Sequence, residues 1–342
     1  MNESTNLLKS ERRILLSGSR PTGQQHLGNY VGALAQWLHL QDEMRCFFMI
    51  ADWHALTNNY RDTTSIPDNI RQQALDWLAI GLDPEKATIF VQSAVKEHAE
   101  LSLLLGMFTP VGLMERCTGW KEATESGNDL LRTYGFLGYP CLQTADILMY
   151  QAHVVPVGKD QVEHIEKAQD IAEKINFLYG AENDPVFRVP EWKLGNAPIL
   201  PGNDGRKMSK SYDNCIYISE DAATVEQKVS VMVTDPARVR RHDPGDPEKC
   251  SVWAYHKVFT DPKHHDWVVQ GCTTAGIGCR DCKKLLASEI NARFEGARQR
   301  RAEMESSNFD WRGVLEEGND RARACARVTM EHVREKLHLY SE

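Results

Sequence analysis

Short apolar runs alternate along this chain with stretches whose apolar residues recur at helical spacing. Ile14–Leu16 is the first run and reads as a buried strand. Gly18, Pro21 and Gly23 then break the chain into a turn, and Leu27, Val31, Leu34 and Leu38 share one face of a helix that begins near His26. Cys46–Asp52 (CFFMIAD) reads as a second buried strand. Pro67 opens a helix in which Ile70, Ala74, Trp77 and Leu78 share a face, and Gly81 closes it. Thr88–Gln92 is a third strand. From Val95 to about Thr133 the pattern is helical, with Leu101, Leu104, Leu105 and Phe108 together. Within it Cys117–Asp129 is polar and glycine-bearing and reads as a mobile loop. Tyr139–Tyr150 is apolar around one carboxylate, Asp146, and a carboxylate there needs a donor. Val154–His164 reads as a short strand, a glycine turn and a helix beginning near Asp160. Beyond Ile218 no strand is expected. Leu285, Leu286, Ile290 and Phe294 mark one helix, and Trp311, Val314 and Leu315, with Val328 and Val333, mark a last helical pair.

This alternation predicts an α/β fold: a doubly wound, parallel, Rossmann-type sheet with a helical insertion at about 95–150, followed by an all-α C-terminal domain. The division falls between residues 1–218 and 219–342. Such sheets bind ligands beyond the carboxyl ends of their strands. His26, Trp53 and His54, Gln92 and Ser93, and Gly158, Asp160 and Gln161 all follow such ends.

Composition narrows the class. The 342 residues suffice for two cores, and the hydrophobic share of 42% is ordinary for a globular protein. No run of about 18 apolar residues occurs, so no membrane span is expected. The N-terminal MNESTNLLKSERR lacks an apolar export signal. Nine cysteines without such a signal point to a reducing cytoplasm. The net charge of -8 argues against a protein that coats DNA or RNA indiscriminately. Yet Arg238–Arg301 holds 13 Lys and Arg against 8 Asp and Glu, a local +5 that leaves -13 for the rest. A basic region in an acidic chain suits docking of one structured RNA; a solvated helical surface is the plainer alternative.

The candidate chemistry begins at Leu15–Leu34, LLSGSRPTGQQHLGNYVGAL. A strand, a glycine-bearing loop and a helix start bring orphan backbone N–H groups together, which suits phosphate. His26 can donate to a phosphate oxygen, and Gly28 leaves room for a base or ribose against the backbone. Far downstream, Gly205–Asn214 reads GRKMSKSYDN. Lys207 and Lys210 are compact charges on flexible stems, suited to follow a moving phosphate.

HLGN on a strand–loop–helix, paired with KMSKS at 205–214, resembles the signature motifs of class I aminoacyl-tRNA synthetases. RPTGQQHLGNYVGAL, IADWHALT, GLDPEKATIFVQS, YPCLQTADILMY, VPVGKDQVEHIE and KMSKS follow one another as in the tryptophanyl-tRNA synthetase family. Asn29 stands where the general class motif has a second histidine. The resemblance implies ATP-dependent activation of L-tryptophan and transfer of the tryptophanyl group to tRNA(Trp), with Mg2+ accompanying ATP. It implies catalytic roles for His26, Asn29, Lys121, Lys207 and Lys210. It implies an ATP site of Arg20, Thr22, Gly23, His26, Gly28, Asn29, Gly158, Asp160, Lys207, Met208, Ser209 and Lys210. Tryptophan would meet His54, Tyr139, Gln143, Asp146 and Gln161, with Asp146 accepting the indole N–H. Gln143 and Arg20 depart from the residues common at these places in bacterial members. The resemblance also implies a cytoplasmic homodimer, with 95–150 a candidate interface.

Cys250, Cys272, Cys279 and Cys282 form C-x21-C-x6-C-x2-C. Spacing alone leaves open zinc, an iron–sulfur cluster or four unrelated thiols. His256, His264 and His265 could replace a thiolate on zinc. With Thr273–Cys282 (TTAGIGCRDC), the spacing is similar to the family members that carry a structural 4Fe–4S cluster beside the anticodon-binding surface. That cluster is the expected cofactor, with structural Zn2+ as alternative. Three other functions remain as rivals: a tyrosyl-tRNA synthetase, a nucleotidyltransferase without tRNA, and an RNA-binding regulatory protein on a synthetase scaffold.

Overall fold

The computed structural model describes residues 12–340, except Asn128, Asn196, Ala197 and the side chain of Asp160. In chain order its main elements are β1 (Ile14–Ser19), α1 (Leu27–Asn29), a π-helical turn (Tyr30–Leu34) and α2 (Ala35–Glu43). Then come β2 (Arg45–Ile50), α3 (Asp52–Asn59), α4 (Ile66–Ile80) and β3 (Ala87–Val91). Next are α5 (Glu97–Phe108), α6 (Val111–Glu115), α7 (Thr118–Glu125), α8 (Tyr134–Met149), β4 (Val154–Val157), α9 (Val162–Tyr179) and β5 (Glu191–Leu194). The chain ends with α10 (Ala222–Ser230), α11 (Ser251–Phe259), α12 (His265–Thr273), α13 (Cys279–Ser306) and α14 (Trp311–Lys336).

The five strands form one sheet in the order β3-β2-β1-β4-β5, and every pairing is parallel. Strand order reverses between β1 and β4, so the loop after β1 opens onto the crevice where doubly wound sheets bind ligands. Both faces of β2 are covered: Phe47, Phe48, Met49 and Ile50 are all buried. Phe48 stacks on Trp37 of α2 on one face, and Phe47 stacks on Tyr150 on the other.

Four details differ from the pattern reading. Gly18 lies within β1, paired with Met49 of β2, rather than in a turn; glycine is needed there because a Cβ would stand 2.5 Å from the Met49 carbonyl oxygen. Thr118–Glu125, inside the stretch expected to be a mobile loop, is a helix. The short strand β5 was not expected; it is an exposed edge strand. The expected last helical pair is one unbroken helix, α14.

That last helix packs back on the sheet. Gly318 approaches the edge strand β3 so closely that a Cβ would stand 1.8 Å from the Ile89 carbonyl oxygen. Asn319 Oδ1 accepts the Val91 N–H at 2.8 Å, and Thr329 Oγ1 donates to the Met149 carbonyl at 2.7 Å. The edge that would otherwise present unpaired backbone groups is thus covered.

Candidate active site

The loop after β1 builds the first half of the site. His26 caps α1: its Nδ1 accepts the Asn29 N–H at 3.1 Å, and Asn29 Oδ1 accepts the His26 N–H at 3.1 Å. This reciprocal pair satisfies two of the helix's orphan donors. It also fixes the histidine tautomer, because an accepting Nδ1 leaves the proton on Nε2. Burial, reinforced by the Lys210 charge, holds His26 down at about 4, so the ring is neutral at pH 7. His26 therefore offers one Nε2–H, and Asn29 retains its amide N–H2 as donor. The space over Gly28 is filled by the His26 ring and by Met208: a Cβ would lie 3.0 Å from the ring and 3.4 Å from the Met208 sulfur. Gly23 takes a positive φ of 92°, which makes the turn beneath Thr22.

The KMSKS segment lies on this loop. Lys210 Nζ donates to the Thr22 carbonyl at 2.6 Å and to Thr22 Oγ1 at 3.1 Å. Burial brings Lys210 down to about 8, against the opposing influence of Cys215 and Asp76. Met208 is buried. Asn214, also buried, holds the segment in shape. It accepts the Ser209 N–H at 2.8 Å and donates to Asp204 and to the Lys207 carbonyl. Lys207 itself is exposed, as is Lys121 on α7. Neither lysine's ammonium is brought against the HLGN loop by a hydrogen bond among the described residues. The helix that carries Lys121 does lean on the neighbouring cleft, since a Cβ on Gly119 would stand 3.3 Å from the Tyr139 hydroxyl.

The second half is a cleft of about 540 Å3 whose lining includes Arg20, His54, Tyr139, Gln143, Asp146, Gly158 and Gln161. The residues expected around the amino acid thus line one cleft. Asp146, on α8, is 1% exposed and saturated with donors. His54 Nε2 reaches Oδ2 at 2.7 Å and His98 Nδ1 reaches Oδ1 at 2.6 Å. Gln92 Nε2 donates to both oxygens, at 2.8 and 3.0 Å. Burial alone would push this carboxyl up, but the hydrogen bonds from His54 and His98 outweigh it and hold it well below the usual carboxylate range. Behind His98, Tyr150 is pushed well up by burial and by Asp146, so its hydroxyl keeps its proton and donates to His98 Nε2 at 2.7 Å. His98 thereby donates to Asp146 through Nδ1. Of the three donors, His54 lines the cleft; Gln92 and His98 are fully buried behind the carboxylate. Two turns before Asp146 on the same helix, burial, then Cys117 and Glu163, push Tyr139 up to about 12, and its hydroxyl lies 3.1 Å from His164 Nε2. The Asp160 side chain lies outside the described residues.

Gln92, His98, Tyr150 and Asn214 were not singled out for these roles in the sequence. The need for donors at Asp146 was readable; their identity was not, because His98 and Gln92 stand 48 and 54 residues upstream.

Cys250, Cys272, Cys279 and Cys282 all line one small cavity with Arg238. Arg238 is buried, lies 3.7 Å from the Cys272 sulfur through Nη1, and has an Nε with no partner. A buried guanidinium calls for negative charge nearby. His256, fully buried and held down at about 4 by burial and by His265, lies 3.2 Å from the Cys282 sulfur. Among the described residues no group of three or more His, Cys, Asp or Glu is gathered to hold a single metal ion.

Residues 8–295 match the family described as tRNA synthetases class I (W and Y). The tryptophan–tRNA ligase of Thermotoga maritima is 48% identical over 328 residues, 95% of this chain and 99% of that one. The chain belongs to the class I tryptophanyl-tRNA synthetase family. A second family member, from Ralstonia nicotianae, is 40% identical over 392 aligned positions, 95% of this chain and 98% of that one. Among solved structures, the tryptophanyl-tRNA synthetase of Campylobacter jejuni complexed with ADP and tryptophan superposes with a TM-score of 0.84. That enzyme is 35% identical, and the alignment covers 96% of this chain and 100% of the other. The five-strand parallel sheet and the helical C-terminal region are thus the family's architecture.

Proposed function

We propose that this chain activates L-tryptophan with ATP and passes the tryptophanyl group to tRNA(Trp). The observation that carries the reading is the docking of Lys210 onto the HLGN loop beside a cleft that ends in a donor-saturated carboxylate. A tryptophan carboxylate oxygen attacks the α-phosphorus, the bond to the bridging oxygen breaks, and pyrophosphate leaves with its electron pair. A hydroxyl of the terminal tRNA ribose then attacks the tryptophanyl carbonyl, AMP leaves, and the hydroxyl proton is released. Such chemistry is mostly positioning and charge stabilisation.

In this reading His26 Nε2–H and the Asn29 amide hold the phosphates or ribose, with Arg20, Thr22, Gly23, Gly158 and Asp160 completing the ATP site, and Gly28, covered by the His26 ring and Met208, meets the nucleotide only where Met208 gives way. Lys210 meets the charge that builds on departing pyrophosphate, and Met208 and Ser209 carry it there. Lys207 and Lys121 reach the phosphates from exposed positions, and Mg2+ arrives with ATP. Tyr139 and Gln161 define the ammonium side of the tryptophan, and Gln143 lines its ring. Because all acceptor positions of Asp146 are taken, the indole N–H exchanges with His54 at Oδ2, the cleft-facing partner. Residues 219–342 dock the tRNA, and Arg280 and Lys284 belong to that basic surface. The exposed Leu103, Met107 and Val111 fit a homodimer contact in the cytoplasm. Pyrophosphate exchange tests the reading. Exchange should depend on tryptophan, and exchange driven by tyrosine instead would sink it.

The four cysteines are read as ligands of a 4Fe–4S cluster. Four soft sulfur donors around a cavity, with a buried, incompletely partnered Arg238, suit an anionic metal–thiolate group. Such a group would supply a structural clamp for 250–282. Protein purified without oxygen should be brown and contain iron and sulfide in about equal amounts, near four of each per chain. A colourless protein with one zinc would overturn the cluster assignment.

A further inference from the structure

The cysteine site and the nucleotide loop are touched by one helix. α13 holds 28 residues, a span of about 42 Å at 1.5 Å per residue. Cys279 and Cys282 sit in its first turn and face the cysteine cavity. Four turns on, Phe294 meets Tyr30 edge-on at 4.8 Å, directly after Asn29. Two turns further, Arg301 is buried and pairs with Asp76 of α4, which has no exposed surface. The two oxygens of Asp76 do different things. Oδ1 takes the Arg301 guanidinium, while Oδ2 accepts the Gln25 backbone N–H at 2.6 Å. Gln25 immediately precedes His26. It is itself buried, its carbonyl accepts the Ile218 N–H at 2.9 Å, and its side chain donates to the Gly23 carbonyl at 3.1 Å. The loop is therefore pinned at one residue, and one of the pins runs through a buried ion pair to α13.

We propose that Asp76 and Arg301 are positioning residues for the nucleotide loop. The ion pair sets where Gln25, and through it His26, stands relative to the helix whose other end carries Cys279 and Cys282. The proposal rests on reading the His26 loop as the ATP site. Burial pushes the Asp76 carboxyl up, and the Arg301 charge and the Gln25 N–H oppose it, so Asp76 depends on both partners. Arg300 provides the contrast. Its Nε donates to the Ala79 carbonyl at 2.7 Å, holding the same helices together without touching the loop.

The test compares Arg301→Met, Arg301→Lys, Asp76→Asn and Arg300→Met in the full chain. Pyrophosphate exchange titrated with ATP, tryptophan affinity by equilibrium dialysis and Tm are measured for each. Arg301→Met and Asp76→Asn should lower kcat/KM for ATP by about tenfold or more, the weight of one hydrogen bond to a charged group. Tryptophan affinity should hold. Arg301→Lys should recover part of the loss, and it carries the test where the other two fail to fold. Arg300→Met should leave the ATP response unchanged. Wild-type ATP kinetics in the folded Arg301 and Asp76 variants would overturn the proposal. So would parallel losses of ATP and tryptophan affinity that follow Tm, which is what a merely structural pair would give. No exchange in the wild-type chain would instead sink the synthetase reading itself, and this proposal with it.

Discussion

Lys210→Ala should slow tryptophan activation by about 10²- to 10³-fold, the usual cost of removing one preorganised group that meets charge in a transition state. Tryptophan affinity should stay near the wild-type value, because Lys210 touches the Thr22 carbonyl and hydroxyl and none of the cleft partners of Asp146. The split follows from what the ammonium does. In the role proposed for it, its charge matters most as pyrophosphate departs, so kcat should carry the loss. A pH profile gives an independent reading. Burial holds Lys210 down at about 8, so its charged fraction falls as pH rises through that value. In the free enzyme kcat/KM for ATP should therefore decline above about pH 8. Lys210→Arg, with a guanidinium that does not deprotonate in this range, should remove that limb. Stopped-flow measurement of activation decides the matter. Equal losses in rate and in tryptophan affinity would refute the assignment.

The parts of this fold that were legible in the sequence share a physical cause. β2 is covered on both faces, so its residues read as a continuous apolar run. α4 could be delimited because Pro67 opens it and Gly81 closes it in a left-handed cap. β5 left no such trace. Three of its four residues are exposed, and it gains its place from pairing with β4 rather than from burial. Thr118–Glu125 was missed for a related reason, since Ala123 is its one buried residue and composition had little to report. α14 was divided although it is continuous. Its apolar markers fall in two groups, at 311–315 and 328–333, and between them Gly318 serves a close approach to the Ile89 carbonyl.

The site shows the same division between local and distant information. HLGN and KMSKS are local strings, and the structure brings Met208 of one against Gly28 of the other, and Lys210 against Thr22, four residues before HLGN. The capping role of Asn29 is local as well, three residues from its partner. What could not be read was the company that each chemical group keeps across long separations. The Asp76–Arg301 pair joins positions 225 residues apart, and nothing in either neighbourhood announces it. Asp146 was readable as a carboxylate in need of donors; Gln92 and His98 could be found only once β3, α5 and α8 had met.

Those donors decide what Asp146→Asn should do. The carboxylate accepts from His54, His98 and both ways from Gln92. An amide keeps one accepting oxygen and turns an N–H2 toward donors that are themselves N–H groups, so at least one buried donor loses its partner. Each such loss costs about 1–3 kcal/mol, and Tm should fall. The functional effect is separable from that loss. In the proposed reading the indole N–H takes the place of His54 at Oδ2, so only the net worth of an exchanged hydrogen bond, about 0.5–1.5 kcal/mol, remains, and the wild-type chain should prefer tryptophan about 2- to 13-fold over its benzothienyl analogue, which replaces the indole N–H by sulfur. Asp146→Asn should bind tryptophan more weakly by a similar factor and lose most of the preference, while KM for ATP holds. Equilibrium dialysis with both ligands measures this directly. A wild-type chain that binds the analogue as well as tryptophan would show that Asp146 does not read the indole nitrogen. The His54–His98–Gln92 network would then be holding α3, α5 and α8 together rather than recognising the ring.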